Sequence, residues 1–150
     1  MIILGNVRSQ VALSYTPSQV AKVTGLSRYM IDYLCRTEVI TPSASKSRGR
    51  GRVRQYTFAD VVLFRVVSRL LSQGIGVLGF RQSFLSARTR RTNLRELLAK
   101  RFLVTNGVSV YIQDEGVLER IESGQLSFAF VLDLVPIREE VTRKLRLIAT

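Results

Sequence analysis

Histidine and tryptophan are absent from this 150-residue sequence, and cysteine occurs once, at Cys35. Without histidine and with a single cysteine, the chain offers no His-ligated or Cys-cluster metal site and no catalytic triad that uses histidine. One cysteine also cannot form a disulfide within the chain. We therefore expect no metal and no cofactor, and we interpret Cys35 as a packing residue rather than a reactive thiol.

Acidic residues are few, with 11 Asp and Glu against 23 Lys and Arg, which gives a net charge of +12. Adjacent carboxylates occur at Asp114-Glu115 and Glu139-Glu140, and we interpret both pairs as turn and helix-start charges. The sequence also contains no Gly-Lys-Ser or Gly-Lys-Thr loop of the kind that binds phosphate. It therefore predicts a protein that is not an enzyme.

Long apolar runs are also missing, because no stretch approaches the ~20 apolar residues that cross a bilayer. Residues 1–13 start with apolar residues but have no cleavage-site pattern, so we expect no signal peptide and assign this segment no function. We expect no membrane partner, and a cytoplasmic, nucleoid-associated location follows by default.

The basic charge is concentrated in the first two thirds of the chain. Residues 1–101 contain 18 basic and 4 acidic residues, a net charge of +14, whereas residues 102–150 contain 5 and 7, a net charge of −2. Most of the basic residues are arginine, which binds phosphate bidentately and hydrogen-bonds to guanine edges. This asymmetry indicates that the chain binds a polyanion. The alternative is that this protein is merely basic and has no such partner.

Residues 15–26 predict a short helix followed by a tight turn. Thr16 fits an N-cap, Pro17 suits the first helical position, and Gln19 can complete a capping box. Thr24-Gly25-Leu26 has the length and the glycine that are typical of the turn in a helix-turn-helix motif.

Ser27 then caps a second helix that we expect to run to about Arg36. In a helix-turn-helix motif this second helix is the recognition helix, and its N-terminal residues approach base edges in the major groove. Arg28 and Tyr29 lie in that first turn and should supply the sequence readout. We place Asp32 one turn further along, on the same polar side.

Basic residues recur at every second position in the next segment, at Lys46, Arg48, Arg50, Arg52 and Arg54. On an extended chain this spacing puts the cations on one face, and the intervening glycines permit a tight tip. A flexible linker and a Gly-Arg segment for RNA are the alternatives. The position of the segment between two capped helices favours a wing, which is a basic hairpin that contacts DNA.

The remainder of the chain predicts further helices and a small sheet. Thr57 and Asp60 indicate a capped third helix that ends at Gly74. We also predict a short helix from about residue 77 to 87, strands at residues 102–104, 108–112 and 126–134, and a last helix at residues 137–147 after Pro136. The Asn106-Gly107 pair between the first two strands is the strongest short hairpin signal known.

The order of these motifs resembles the DNA-binding domain of the MerR family over about residues 14–86. The matching pieces are Tyr15-Thr16, Val20-Ala21, Thr24-Gly25-Leu26-Ser27, Tyr33, Val39-Ile40-Thr41-Pro42, Arg54-Gln55-Tyr56, Asp60-Val61 and Leu70 with Gly74-Ile75. The resemblance implies that Arg54 binds a phosphate from the wing, and that Thr16 and Tyr33 lie near the DNA backbone. Two positions depart from it: Asp32 stands where the family usually carries Arg, and Leu34 where a second Tyr is common.

The C-terminal part departs further from that family. The long helix with which its regulators form an antiparallel coiled coil has no counterpart here, since Leu94, Leu97 and Leu98 supply little more than one heptad. This part resembles instead, faintly, the middle region of some MerR-like antitoxins.

We therefore predict an α+β fold that is mainly α, in two parts. Residues 1–88 should form a MerR-type winged helix-turn-helix DNA-binding domain, and residues 89–150 a small α+β region for dimerisation or partner binding. The predicted DNA-binding residues are Thr16, Ser27, Arg28, Tyr29, Tyr33, Lys46, Arg48, Arg50, Arg52, Arg54 and Tyr56.

The function predicted from the sequence is a sequence-specific, double-stranded DNA-binding transcriptional regulator. We expect a dimeric repressor or autorepressor whose copies meet through residues 102–150 and bind an inverted repeat. One alternative is an antitoxin or phage-type regulator that captures a toxin or another protein through its C-terminal region. Another is a nucleic-acid chaperone or RNA binder that uses the Gly-Arg segment without sequence preference.

Overall fold

The computed structural model describes residues 14–42, 54–78, 81, 101–105, 110–113 and 130–149. In chain order its elements are α1 (Pro17–Thr24), α2 (Arg28–Arg36), α3 (Phe58–Ser72), β1 (Phe102–Thr105), β2 (Val110–Gln113), β3 (Phe130–Asp133) and α4 (Leu134–Ala149). This is the predicted class, α+β and mainly α. The fold groups into two compact units, Met1–Arg65 with Arg138–Thr150 and Val66–Ile137.

The first unit contains α1, α2, the start of α3 and most of α4. An isolated antiparallel bridge joins the segment before α1 to the segment before α3, since Tyr15 N donates to Tyr56 O at 2.8 Å and Tyr56 N donates to Tyr15 O at 2.9 Å. Apolar side chains from all four helices are buried in this unit. They include Val20, Val23, Ile31, Leu34, Val61, Phe64, Val141 and Leu145.

Helix α3 begins with the capping box that the sequence predicts. Asp60 N donates to Thr57 Oγ1 at 3.3 Å, and Thr57 N donates to a carboxylate oxygen of Asp60 at 2.9 Å. The helix ends at Ser72, and Gly74 follows with a φ of +85°, a left-handed conformation that favours glycine. Both ends therefore follow from local sequence.

The second unit contains a three-stranded sheet of order β2-β1-β3, in which both neighbouring pairs are antiparallel. Phe102 lies opposite Gln113 and Asp133, and Thr105 lies opposite Val110 and Phe130. The predicted pairing of the first two strands is confirmed. The turn residues 106–109, and Asn106-Gly107 with them, lie outside the described residues.

Helix α4 begins earlier than the sequence predicts. It starts at Leu134, so Pro136 lies in its first turn instead of before it, and the predicted strand end at Leu134 is wrong. Asp133 explains the start, because its Oδ1 accepts a hydrogen bond from Val135 N at 3.0 Å and so satisfies a first-turn amide. A proline is tolerated there because N–H groups of the first turn have no partner within the helix.

Several expectations fall on residues that the structure does not describe. These are the wing at 43–53, most of the helix predicted at 77–87, the domain boundary between residues 88 and 89, and residues 126–129 of the predicted third strand. They stay predictions.

Candidate nucleic-acid interface

The first helix of the predicted motif is closed by a reciprocal capping box. Gln19 N donates to Thr16 Oγ1 at 3.2 Å, and Thr16 N donates to Gln19 Oε1 at 2.9 Å. Pro17 occupies the first turn, where its missing N–H costs nothing. The expected start of α1 is confirmed, and Thr16 lies on the surface at this helix end.

Hydrogen bonds of Thr24 and Gly25 hold the turn between α1 and α2 in place. Gly25 has a φ of +78° and donates its N–H to Ala21 O at 3.0 Å, which ends α1 with a left-handed residue. Thr24 is buried, and its hydroxyl donates to Val20 O at 2.7 Å and accepts from Leu26 N at 3.3 Å. The turn therefore holds the two helices at a defined angle.

Helix α2 has one buried side, and its first turn is exposed. Ser27 caps it, since Ser27 Oγ accepts from Met30 N at 3.0 Å. Ile31 and Leu34 are buried, whereas Arg28 is exposed and Tyr29 is 73% exposed. The structure thus brings Ser27, Arg28 and Tyr29 together at the exposed start of the predicted recognition helix.

An ion-pair cluster lies one turn further along α2. Asp32 accepts at Oδ2 from Arg36 Nε at 2.7 Å and at Oδ1 from Arg54 Nη1 at 2.5 Å. The hydrogen bond from Arg54 is the main reason why the pKa of Asp32 lies below its ordinary value; burial opposes this shift and Arg36 supports it. Arg54, the first described residue after the wing segment, is thereby attached to α2, the predicted recognition helix.

Tyr33 lies on the same helix and is half-buried. Its carbonyl oxygen accepts from the hydroxyl of Thr37 at 2.8 Å and from Thr37 N at 3.0 Å, so the end of α2 is closed locally. A role for Tyr33 near the DNA backbone stays a prediction.

Tyr56 was predicted to contact DNA, but its side chain lies in the core. It is 1% exposed, and its hydroxyl lies 3.4 Å from Cys35 Sγ. Its ring meets the Phe64 ring edge-on, with 5.2 Å between centroids. A phenol held in this way cannot reach DNA without disrupting the packing around it.

Cys35 is buried, as expected for a packing residue. Burial is the main reason why the pKa of its thiol is raised, although the hydrogen bond with Tyr56 opposes the shift. Burial also raises the pKa of the Tyr56 phenol, with a further contribution from Cys35. Both groups are therefore neutral at physiological pH.

Four of the predicted contact residues, Lys46, Arg48, Arg50 and Arg52, lie outside the described part of the chain. Their contact with DNA stays a prediction. Arg54 is the member of the alternating series whose position is described, and it lies beside α2.

Comparison with known proteins finds a family match over the helices that form this candidate interface. Residues 15–83 match the family described as "MerR HTH family regulatory protein". The match begins at Tyr15, the residue that forms the bridge to Tyr56, and it includes α1, α2 and α3.

Residues 15–83 form a MerR-family helix-turn-helix domain.

The chain is also similar to longer mycobacterial proteins. It is 28% identical over 122 residues to proteins named uncharacterized HTH-type transcriptional regulators in Mycobacterium bovis and in two strains of Mycobacterium tuberculosis. The aligned residues cover 80% of this chain and 53% of each relative. The chain thus spans about half the length of these curated relatives.

A contact that no sequence motif predicts joins α4 to the MerR-family domain. Arg65 donates from Nε and Nη2 to the two carboxylate oxygens of Glu140, at 3.3 and 3.0 Å, and from Nη1 to Thr24 O at 3.0 Å. Lys144 Nζ lies 2.8 Å from Glu140 Oε1. We call Arg65, Glu140, Lys144 and the Thr24 carbonyl the Arg65 clasp.

The Arg65 clasp contacts the turn of the helix-turn-helix through the Thr24 carbonyl. Thr24 is the last residue of α1, and a cation at a helix C-terminus is favourable because the carbonyl groups there carry partial negative charge. Burial raises the pKa of Glu140, but Lys144 and Arg65 together outweigh it, so the pKa lies below its ordinary value. Glu140 is therefore charged at neutral pH.

Among the residues that the structure describes, no helix is both long and apolar enough to cross a membrane. Over the same residues, no cluster of three or more Cys, Asp or Glu side chains could hold a metal ion.

Proposed function

We propose that the chain is a sequence-specific, double-stranded DNA-binding transcriptional regulator that acts as a dimeric repressor or autorepressor. The observation that carries the proposal is the exposed first turn of α2, in which Arg28 and Tyr29 face solvent while Ile31 and Leu34 anchor the opposite side. The net charge of +14 over residues 1–101 supports a polyanionic partner. The names of the mycobacterial relatives agree with this function.

We assign phosphate contacts and base contacts to different residues of the interface, according to their positions and charges. Arg54 beside α2 and the arginines of the wing segment would supply phosphate contacts, which give affinity without sequence preference. Arg28, at the N-terminal end of the recognition helix, would hydrogen-bond to a base edge in the major groove.

Selection of bound duplexes from a randomised pool tests this function. The full-length protein should enrich one sequence, and Arg28→Ala should lose about 1–3 kcal/mol of binding free energy on that sequence and relax its preference at one position. Lys22→Ala, an exposed cation of α1, is the matched control for the loss of charge. Equal losses on selected and random duplexes would show that Arg28 only positions the DNA backbone, and absence of any enrichment would contradict the function.

We also propose that two copies associate through residues 102–150. This segment has a net charge of −2, so two copies can meet there without the repulsion that the basic segment would cause. A two-fold dimer would place two recognition helices on the half-sites of an inverted repeat.

Assembly must be measured on the full-length chain. Residues 138–150 belong to the first compact unit, so truncation after Arg101 would remove Glu140, Val141 and Leu145 from the domain that binds DNA. Light scattering should give a mass near twice the 16.9 kDa of one chain. A mass of one chain at micromolar concentration would contradict the dimer.

A further inference from the structure

Asp32 is an acidic side chain in a segment of the chain that is strongly basic. Residues 1–101 contain four acidic residues, Asp32, Glu38, Asp60 and Glu96. Asp60 is buried in the cap of α3, whereas Asp32 is 46% exposed on the recognition helix. A carboxylate here repels the phosphates that the neighbouring arginines attract, so its presence weakens binding to DNA in general.

The carboxylate also pairs with two cations. Asp32 accepts one hydrogen bond on each oxygen, from Arg36 on its own helix and from Arg54 at the end of the wing segment. A guanidinium has five N–H donors, so each arginine keeps donors for a phosphate while it stays paired. Asp32 therefore orients both arginines and at the same time reduces their net attraction for DNA.

Asp32 keeps acceptor capacity of its own. An ionised carboxylate offers about four lone-pair sites, and the two arginines use one on each oxygen. In the major groove the amino group of cytosine N4 is the donor that Asp and Glu side chains accept. A duplex with cytosine opposite Asp32 would thus compensate the repulsion, and a duplex without it would not.

We infer that Asp32 is a specificity-determining residue of this interface, which holds Arg36 and Arg54 in place and favours duplexes that present a cytosine amino group to its carboxylate. The inference rests on the proposed DNA-binding function. It assigns Asp32 a role in discrimination between sequences, distinct from the affinity supplied by the arginines around it.

The test compares Asp32→Asn with Glu38→Gln in the full-length protein. Both variants remove one negative charge in or near α2, since Asp32 lies at the middle of that helix and Glu38 lies two residues after its end. Each protein is used to select duplexes from a randomised pool, and affinities for the selected and random duplexes are measured across a salt series. Thermal unfolding of both variants confirms that the fold is retained.

Asp32→Asn should bind random duplex more tightly, with a salt slope steeper by up to about one unit, because one repelling charge is gone. Its preference for cytosine at one position should fall by about 5- to 150-fold, the range of a single side-chain contact to a base. Glu38→Gln should retain the cytosine preference of the wild type.

Two outcomes overturn the inference while the proposed function stands. One is an unchanged cytosine preference in Asp32→Asn, and the other is an equal change in both variants. Asp32→Glu, which keeps the charge but moves the carboxylate by one methylene, should retain part of the preference if the inference is correct. Failure of the wild type to bind any duplex overturns the proposed function and the inference together.

Discussion

Two arginines of the same unit form carboxylate pairs of very different exposure. At the Arg65 clasp the two side chains are 18% and 22% exposed, whereas those of Arg54 and Asp32 are 40% and 46% exposed. Arg65 contacts both oxygens of Glu140 and a backbone carbonyl as well, while the contact of Arg54 with Asp32 uses one oxygen. The chemical groups are the same, and their surroundings differ.

The difference in exposure predicts different roles. Exposed ion pairs contribute about 0–1 kcal/mol to folding, because water competes for both charges and the side chains lose entropy. A less exposed arginine with several charge-assisted hydrogen bonds contributes more, since its loss leaves other polar groups without partners. Arg65 should therefore matter for stability, and Arg54 for what the surface binds.

Loss of the Arg65 side chain should give the largest effect on folding. Arg65→Ala removes the contacts with Glu140 and with the Thr24 carbonyl, and we expect a loss of about 1.5–3 kcal/mol in the free energy of unfolding. Arg143→Ala, an exposed arginine of α4, is the control and should change stability by less than about 0.5 kcal/mol. Urea unfolding followed by circular dichroism measures both, and equal losses would contradict the role of the clasp.

The pH dependence of stability should show a smaller effect at the same place. The folded-state pKa of Glu140 lies below its ordinary value of 4.5, so its charged form stabilises the protein above that pH. This contribution is lost as the pH falls below 4.5 and through the lower pKa of the folded protein. We expect Glu140→Gln to be less stable than the wild type at pH 7, by about 1 kcal/mol.

The informative quantity is the difference in stability between wild type and Glu140→Gln, because the other acidic residues titrate in both proteins. That difference should shrink steadily as the pH is lowered from 5 to 3. A difference that stays constant over this range would show that Glu140 acts through packing and not through its charge.

The local parts of the fold could be predicted from sequence because their causes are local. Thr16 with Gln19, Thr57 with Asp60, and the left-handed glycines at 25 and 74 each act within a few residues, and the structure confirms them. The start of α4 was missed because Asp133 satisfies one first-turn amide, that of Val135, an effect that the proline two residues after Leu134 obscured.

The pairings across the chain could not be predicted in this way. Arg65 and Glu140 are 75 residues apart, and Arg54 and Asp32 are 22 apart, so no helical or strand spacing relates them. The same limit explains the error at Tyr56. Tyr56 stands two residues after Arg54 in the motif that resembles the family, while its burial depends on Cys35, 21 residues away, and on Phe64 of α3.

The salt dependence of duplex binding by Arg54→Ala tests the central claim most directly, namely that the exposed pair belongs to a DNA-binding surface. Arg54→Ala, like Arg52→Ala in the wing segment, should bind all duplexes more weakly and lower the slope of log affinity against log salt by about one unit. Its stability should stay within about 1 kcal/mol of the wild type. An unchanged slope in both variants, measured against Arg143→Ala as the control for charge, would contradict the account.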